Sequence, residues 1–202
     1  MRYEVIVLDR SGSQWERWRA SVALTRALIS GLGYDRNLMI GLVGFNDEAI
    51  TESTYTRDRE RLYAAIDAMI PMGLTSLWDA LMVALAYEKP RPAAIHVISD
   101  FRDNSSDLAA ERVLDLAREL EVELHAIIPP ALPWRPGAAP EAIDAFVPPL
   151  RHLPIPIDEP GDVSLAEGEA AALRLAGPRI FRPALAIDTV ERELMRVVLR
   201  HL

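Results

Sequence analysis

Asp9, Ser11 and Ser13 stand at alternate positions directly after the apolar run Val5-Ile6-Val7-Leu8. One carboxylate and two hydroxyls on a single turn make an oxygen-only donor set, which suits a hard divalent cation such as Mg²⁺. They do not make a nucleophile, because no His or Lys lies nearby in the chain to take a proton from either serine. Two further segments carry the same chemistry. Gly73-Leu74-Thr75-Ser76 leads into a helical pattern, and Ile98-Ser99-Asp100 closes an apolar run. With Thr75 and Asp100 added, the set holds two carboxylates and three hydroxyls.

The elements that must position these groups alternate between strand and helix. Apolar, β-branched runs predict strands over 3–9, 38–45, 93–99 and 122–128, and alternation over 49–55 predicts an edge strand paired with 38–45 as a hairpin. Near-3.6 spacing predicts helices over 14–32, 58–69, 76–87, 107–120, 165–176 and 187–202, with a short strand at 179–181. Strands apolar on both faces, alternating with helices, indicate an α/β fold. The expected architecture is a Rossmann-like three-layer sandwich, with a mostly parallel sheet, one antiparallel edge strand and helices on both faces. In such sheets ligands bind outside the carboxyl ends of the strands, where Asp9 and Asp100 both fall.

At 202 residues, half of them hydrophobic, the chain is expected to form one domain, 1–202. A net charge of −8 argues against non-specific nucleic-acid binding. The absence of cysteine excludes disulfides, thiolate metal sites and cysteine catalysis. No apolar run approaches the roughly 20 residues of a membrane span. With a strand beginning by Tyr3, the expectation is a cytoplasmic protein without a signal peptide.

On Asp9-x-Ser11-x-Ser13, Thr75 ahead of a helix and a second strand-end Asp100, the chain resembles a von Willebrand factor A domain with a metal-ion-dependent adhesion site. The resemblance follows the element order over nearly the whole chain, the edge hairpin included. It implies that Asp9, Ser11, Ser13, Thr75 and Asp100 hold the metal, Mg²⁺ foremost, with Mn²⁺ or Ca²⁺ also suited. It further implies that one carboxylate acts through water and that a coordination position stays open for a Glu or Asp of a partner protein. By the same analogy, many bacterial relatives work beside AAA+ ATPases of the MoxR type or in multi-protein assemblies. The family often has Gly after the second Asp; here Phe101-Arg102 follows. Both are expected to shape a partner-facing rim, with Arg102 able to receive an incoming carboxylate.

Ten of the fifteen prolines fall between Pro129 and Pro160. This segment, 129–163, is an insertion expected to leave the sheet on the metal face. Its Trp134, Phe146 and Arg151 are candidate partner contacts, and Glu141, Asp144, Asp158, Glu159 and Asp162 are candidates to occupy the metal from within. Asp79 is expected to be structural, and 103–107 a solvated turn with an N-cap. His96, His125, His152 and His201 do not cluster by spacing and are assigned no ligand role. The leading function is a metal-dependent protein-binding module, not an enzyme. One alternative is a metal-independent scaffold binding through the insertion. A weaker one is a Mg²⁺-dependent phosphoester hydrolase of the haloacid-dehalogenase kind, which would need a carboxylate where Ser11 stands. The chain carries no P-loop, dinucleotide fingerprint or nucleophile elbow.

Overall fold

Alternation along the first strand decides the architecture. In β1 (Arg2–Asp9), Val5 and Val7 pack into one apolar cluster while Ile6 and Leu8 pack into another. Successive side chains of a strand point to opposite faces, so a strand apolar at every position must be covered on both sides. The computed structural model, which describes residues 1–33, 35–87, 89–129 and 180–181, shows that cover. Helices α1 (Trp18–Leu32) and α2 (Arg59–Asp67) close one face through Leu24, Leu28, Leu62 and Ile66. Helices α3 (Leu77–Leu85) and α4 (Ala110–Glu119) close the other through Leu77, Leu81, Val113 and Leu114.

The remaining strands are β2 (Leu38–Phe45), β3 (Ala49–Thr56), β4 (Ala94–Ile98), β5 (Glu123–Ile127) and β6 (Ile180–Phe181). They form one sheet in the order β3-β2-β1-β4-β5-β6. All neighbours are parallel except β2 and β3, the expected antiparallel hairpin. After β1 the chain builds outward on one side through β2 and β3, then returns to lay β4 against the other side of β1. The strand order therefore reverses between β1 and β4. The helices leaving these two strands part there, opening a crevice at the carboxyl ends.

Two helix starts differ from the expectation. The helix expected from 14 begins at Trp18, because Gly12–Gln14 forms a 3-10 turn that curls around Asp9 first. The helix expected from Asp107 begins at Ala110, because the Asp107 and Leu108 amides are held by the Asp79 carboxylate at 3.0 Å each. Asp58 caps α2 as expected, accepting from the Arg61 amide. The insertion at 129–163, apart from Pro129, and the helices expected over 165–176 and 187–202 lie outside the described residues. Among the described residues no helix is long and apolar enough to cross a membrane.

Register brings together two histidines that spacing alone keeps apart. His96 pairs with His125 across β4 and β5, and their rings stack with centroids 4.8 Å apart. His96 Nε2 lies 2.7 Å from the buried Glu4 carboxylate. Burial alone would raise the Glu4 carboxyl, but the His96 hydrogen bond and the His96 and Arg2 charges outweigh it and hold the pKa below the ordinary value.

The two-faced core makes a contrast that equilibrium unfolding in urea can measure. Ile6→Ala, at a fully buried position, is expected to cost about 2–5 kcal/mol. Ile50→Ala, on the exposed edge strand, is expected to stay within about 0.5 kcal/mol.

Candidate metal centre

Asp9 is the last residue of β1 and is fully buried. Its Oδ1 accepts from the Ser11 amide at 2.8 Å, which bends the chain back over the carboxylate. Its Oδ2 accepts from Gln14 Nε2 at 3.2 Å and from Ser99 Oγ at 2.5 Å. Ser21 in α1 steadies Gln14, its hydroxyl 3.4 Å from Gln14 Oε1. The hydroxyls of Ser11 and Ser13 lie 3.1 Å apart.

Asp100 enters from the neighbouring strand. Leu8 pairs with Ile98, so the two residues beyond Ile98 stand beside the end of β1. Asp100 is 4 % exposed. Its Oδ1 accepts weakly from the Arg102 amide at 3.4 Å, whereas its Oδ2 is buried and has no hydrogen-bond partner. Burial pushes its pKa up, opposed by the charges of Arg17 and Arg102 and by the nearby Ser13 hydroxyl. Burial, then the Asp100 charge, push Asp9 up to about 7.

Thr75, also buried, joins through its backbone. Its amide donates to Asn104 Oδ1 at 2.8 Å, and its carbonyl accepts from the Asn104 and Ser105 amides at 3.0 and 3.1 Å. The loop after Asp100 thus caps α3 in place of that helix's own N-cap residue. Asp103 Oδ1 takes the Leu77 amide at 2.8 Å, and Ser106 Oγ takes the Trp78 amide at 2.9 Å. Ser76, at the N-cap position, instead turns its hydroxyl to the Asn46 carbonyl at 2.7 Å. So 103–106 is a clamp between loops, more than the solvated turn expected of it.

The first and second loops meet backbone to backbone. Gly12 N donates to Gly73 O, and Met72 N to Arg10 O, both at 2.8 Å. Gly73 has φ +78°, and a Cβ there would meet Asp47 Oδ2 at 1.9 Å, so only glycine fits.

Asp9, Ser11, Ser13 and Asp100 are therefore gathered at the β1–β4 crevice, with Thr75 bolted to the loop beside them. The rim is different. Phe101 does not line it: the ring is fully buried in the core on the α3–α4 side. Its backbone is left-handed, φ 63°, the conformation for which glycine is the ordinary choice. Packing the ring inside offsets a strain of about 1–3 kcal/mol. Arg102 is half-buried beside Asp100. Trp134, Phe146 and Arg151, with the insertion's acidic residues, lie outside the described residues. Ser99, Gln14 and Arg17 were not among the expected site residues. Register with Leu8 points to Ser99; nothing in the sequence distinguishes the other two.

The donor set fits a hard cation. It offers only oxygen, it buries two carboxylates that repel each other, and it leaves one buried carboxylate oxygen without a partner. Among the described residues no group of three or more His, Cys, Asp or Glu gathers, at this centre or elsewhere, so its two carboxylates depend on hydroxyl oxygens to complete a donor set.

A family model described as von Willebrand factor type A domain matches residues 5–102, a span running from β1 through both carboxylates. The chain contains a von Willebrand factor type A domain. No curated protein matches it by sequence. The chain is similar in fold to the conserved hypothetical protein BatB from Bacteroides thetaiotaomicron, with TM-score 0.68 and 17 % identity over 99 % of this chain and 98 % of that one. It is also similar to a von Willebrand factor type A protein from Catenulispora acidiphila, with TM-score 0.65 and 14 % identity over 98 % of this chain and 42 % of that one. Proximal thread matrix protein 1 of the mussel byssus, with a zinc-occupied metal-ion-dependent adhesion motif, gives TM-score 0.64 and 14 % identity over 98 % of this chain and 47 % of that one.

A raised Asp9 sets the sign of a pH effect. A carboxyl whose folded pKa exceeds its unfolded value of 3.8 contributes stability that is complete below about 3.8 and is lost as pH rises through about 7. Asp100 and Asp103, both raised, act in the same direction. Metal-depleted protein is expected to become less stable to urea between pH 4.5 and 7.5, and Asp9→Asn to flatten that slope.

Proposed function

We propose that this A domain is a metal-dependent protein-binding module in which Asp9, Ser11, Ser13, Thr75 and Asp100 hold a divalent cation, Mg²⁺ foremost. The observation that carries it is the buried pair Asp9 and Asp100, whose mutual repulsion and unpartnered Asp100 Oδ2 a cation would relieve. The zinc-occupied motif in the mussel protein of the same fold supports a divalent metal as the ligand. Once bound, the cation supplies a positive centre that accepts a further oxygen ligand, here a Glu or Asp from a partner protein.

The chain's own residues do the rest. Ser99 and Gln14 occupy Asp9 Oδ2 and fix its orientation. Ser11 and Ser13 add neutral oxygens, which leave most of a cation's charge available to an incoming anion. Arg102, beside Asp100, adds a second cation for that anion. Position 11, where a phosphoester hydrolase of the haloacid-dehalogenase kind would need its acid–base carboxylate, carries a hydroxyl bonded to Ser13. This favours recognition over catalysis. The partner class we favour is a multi-protein assembly, with an AAA+ ATPase of the MoxR type as a specific candidate.

A ligand bound only by the folded state raises stability, by about 2.7 kcal/mol at a hundred times its Kd. Mg²⁺ is therefore expected to raise the Tm of metal-depleted protein by several degrees. Asp9→Ala and Asp100→Asn are each expected to abolish the rise. Equal Tm values in Mg²⁺ and EDTA would remove the reading's main support.

A further inference from the structure

At the opposite end of the sheet three arginines surround one cavity of about 230 Å³. Arg36 comes from the α1–β2 loop, Arg57 from the β3–α2 turn, and Arg59 from the first position of α2. The floor is apolar: Leu38, Ile40 and Leu62 line it and are at most 4 % exposed. In a chain of net charge −8 this convergence runs against the overall field. Arg36 and Arg57 form no ion pair with any carboxylate among the described residues. The one acidic lining residue, Asp35, turns its carboxylate onto its own loop, accepting from the Asn37 amide at 2.7 Å.

Gly33 makes room for the third arginine. It caps α1 with φ −70°, a conformation open to any residue, so its backbone does not require glycine. A Cβ there would instead stand 2.3–2.6 Å from Nε, Nη2 and Cζ of Arg59. The Arg59 guanidinium thus lies flat over the end of α1 at the cavity wall.

We propose that this cavity is a binding site for a phosphate monoester with a small apolar body. The Arg36 and Arg57 guanidinium forks, which form no ion pair among the described residues, match a phosphate dianion, which such forks bind bidentately, and Arg59 adds its charge at the wall. The buried floor suits an attached ring or alkyl group. The volume lies below the roughly 300–1,000 Å³ of drug-sized sites and fits a single phosphorylated group. The site sits where β2 begins, roughly 25 Å along the eight-residue strand from the metal end. It is independent of the metal centre.

The test is calorimetric titration of metal-depleted full chain with inorganic phosphate, phenyl phosphate and a phosphotyrosyl peptide at fixed ionic strength. Phenyl phosphate is expected to bind saturably and at least threefold more tightly than inorganic phosphate. Arg36→Ala with Arg57→Ala is expected to weaken it at least tenfold. Gly33→Ala, which displaces only the end of the Arg59 side chain, is expected to weaken it several-fold with an unchanged Tm. A peptide that outbinds phenyl phosphate assigns the phosphate to a protein side chain, and a weaker peptide assigns it to a free ester. No saturable binding, equal affinity for the two small phosphates, or an unchanged affinity in the double variant would overturn the proposal.

Discussion

Asp9 and Asp100 end or follow adjacent parallel strands, both are buried, and the charge of Asp100 raises the pKa of Asp9. Two like charges withdrawn from water are costly unless something of opposite sign faces them. Much of the surrounding structure answers that cost. Ser11, Gln14 and Ser99 all donate to Asp9, leaving neither of its oxygens unpaired. Asp100 is served less well, with one weak amide contact and one bare oxygen. Arg17 and Arg102 lie near enough to offset part of its charge, yet neither fills the bare position. The unsatisfied oxygen of the pair therefore belongs to Asp100 and not to Asp9.

The loops are held together to the same end. Asp79, Asp103, Asn104 and Ser106 exchange hydrogen bonds between the start of α3 and the loop after Asp100, so Thr75 and Asp100 move as one unit. The Gly12–Gly73 and Met72–Arg10 bonds join that unit to the Asp9 turn. A donor set held by such cross-links changes shape little when a ligand arrives, which lowers the entropic cost of binding. Arg17 adds a link of another kind. It lies near Asp100 and donates to the Pro129 carbonyl at 2.5 Å, connecting the centre to the point where the chain leaves β5.

Much of this was legible in the sequence. Apolar runs such as 5–8, and 94–98 with His96 as its one polar member, read as strands covered on both faces, so the layers and the parallel sheet followed. Asp9 and Asp100 were visible because each ends such a run. What escaped was set by contacts distant in sequence. Gln14 looked like the start of a helix because its role depends on a 3-10 turn that only the Asp9 carboxylate explains. Phe101 looked like a rim residue because nothing local announces that a left-handed backbone turns its ring into the core. The histidines looked scattered because strand register, not spacing, stacks His96 on His125. The three arginines of the second cavity come from two connections that are remote in sequence until the β2–β3 hairpin brings them together.

If Asp9 and Asp100 take up a cation together, a proton must leave them as it binds. At pH 6.5 a pair with one carboxyl raised to about 7 retains part of a proton, and a cation must expel it. Titrating Mg²⁺ into metal-depleted protein in buffers of different ionisation enthalpy measures that release directly. The expected result is release of a fraction of one proton per site at pH 6.5, shrinking toward zero by pH 8.5 and absent in Asp9→Asn. Mg²⁺ binding with no proton release at either pH, or no binding at all, would contradict it.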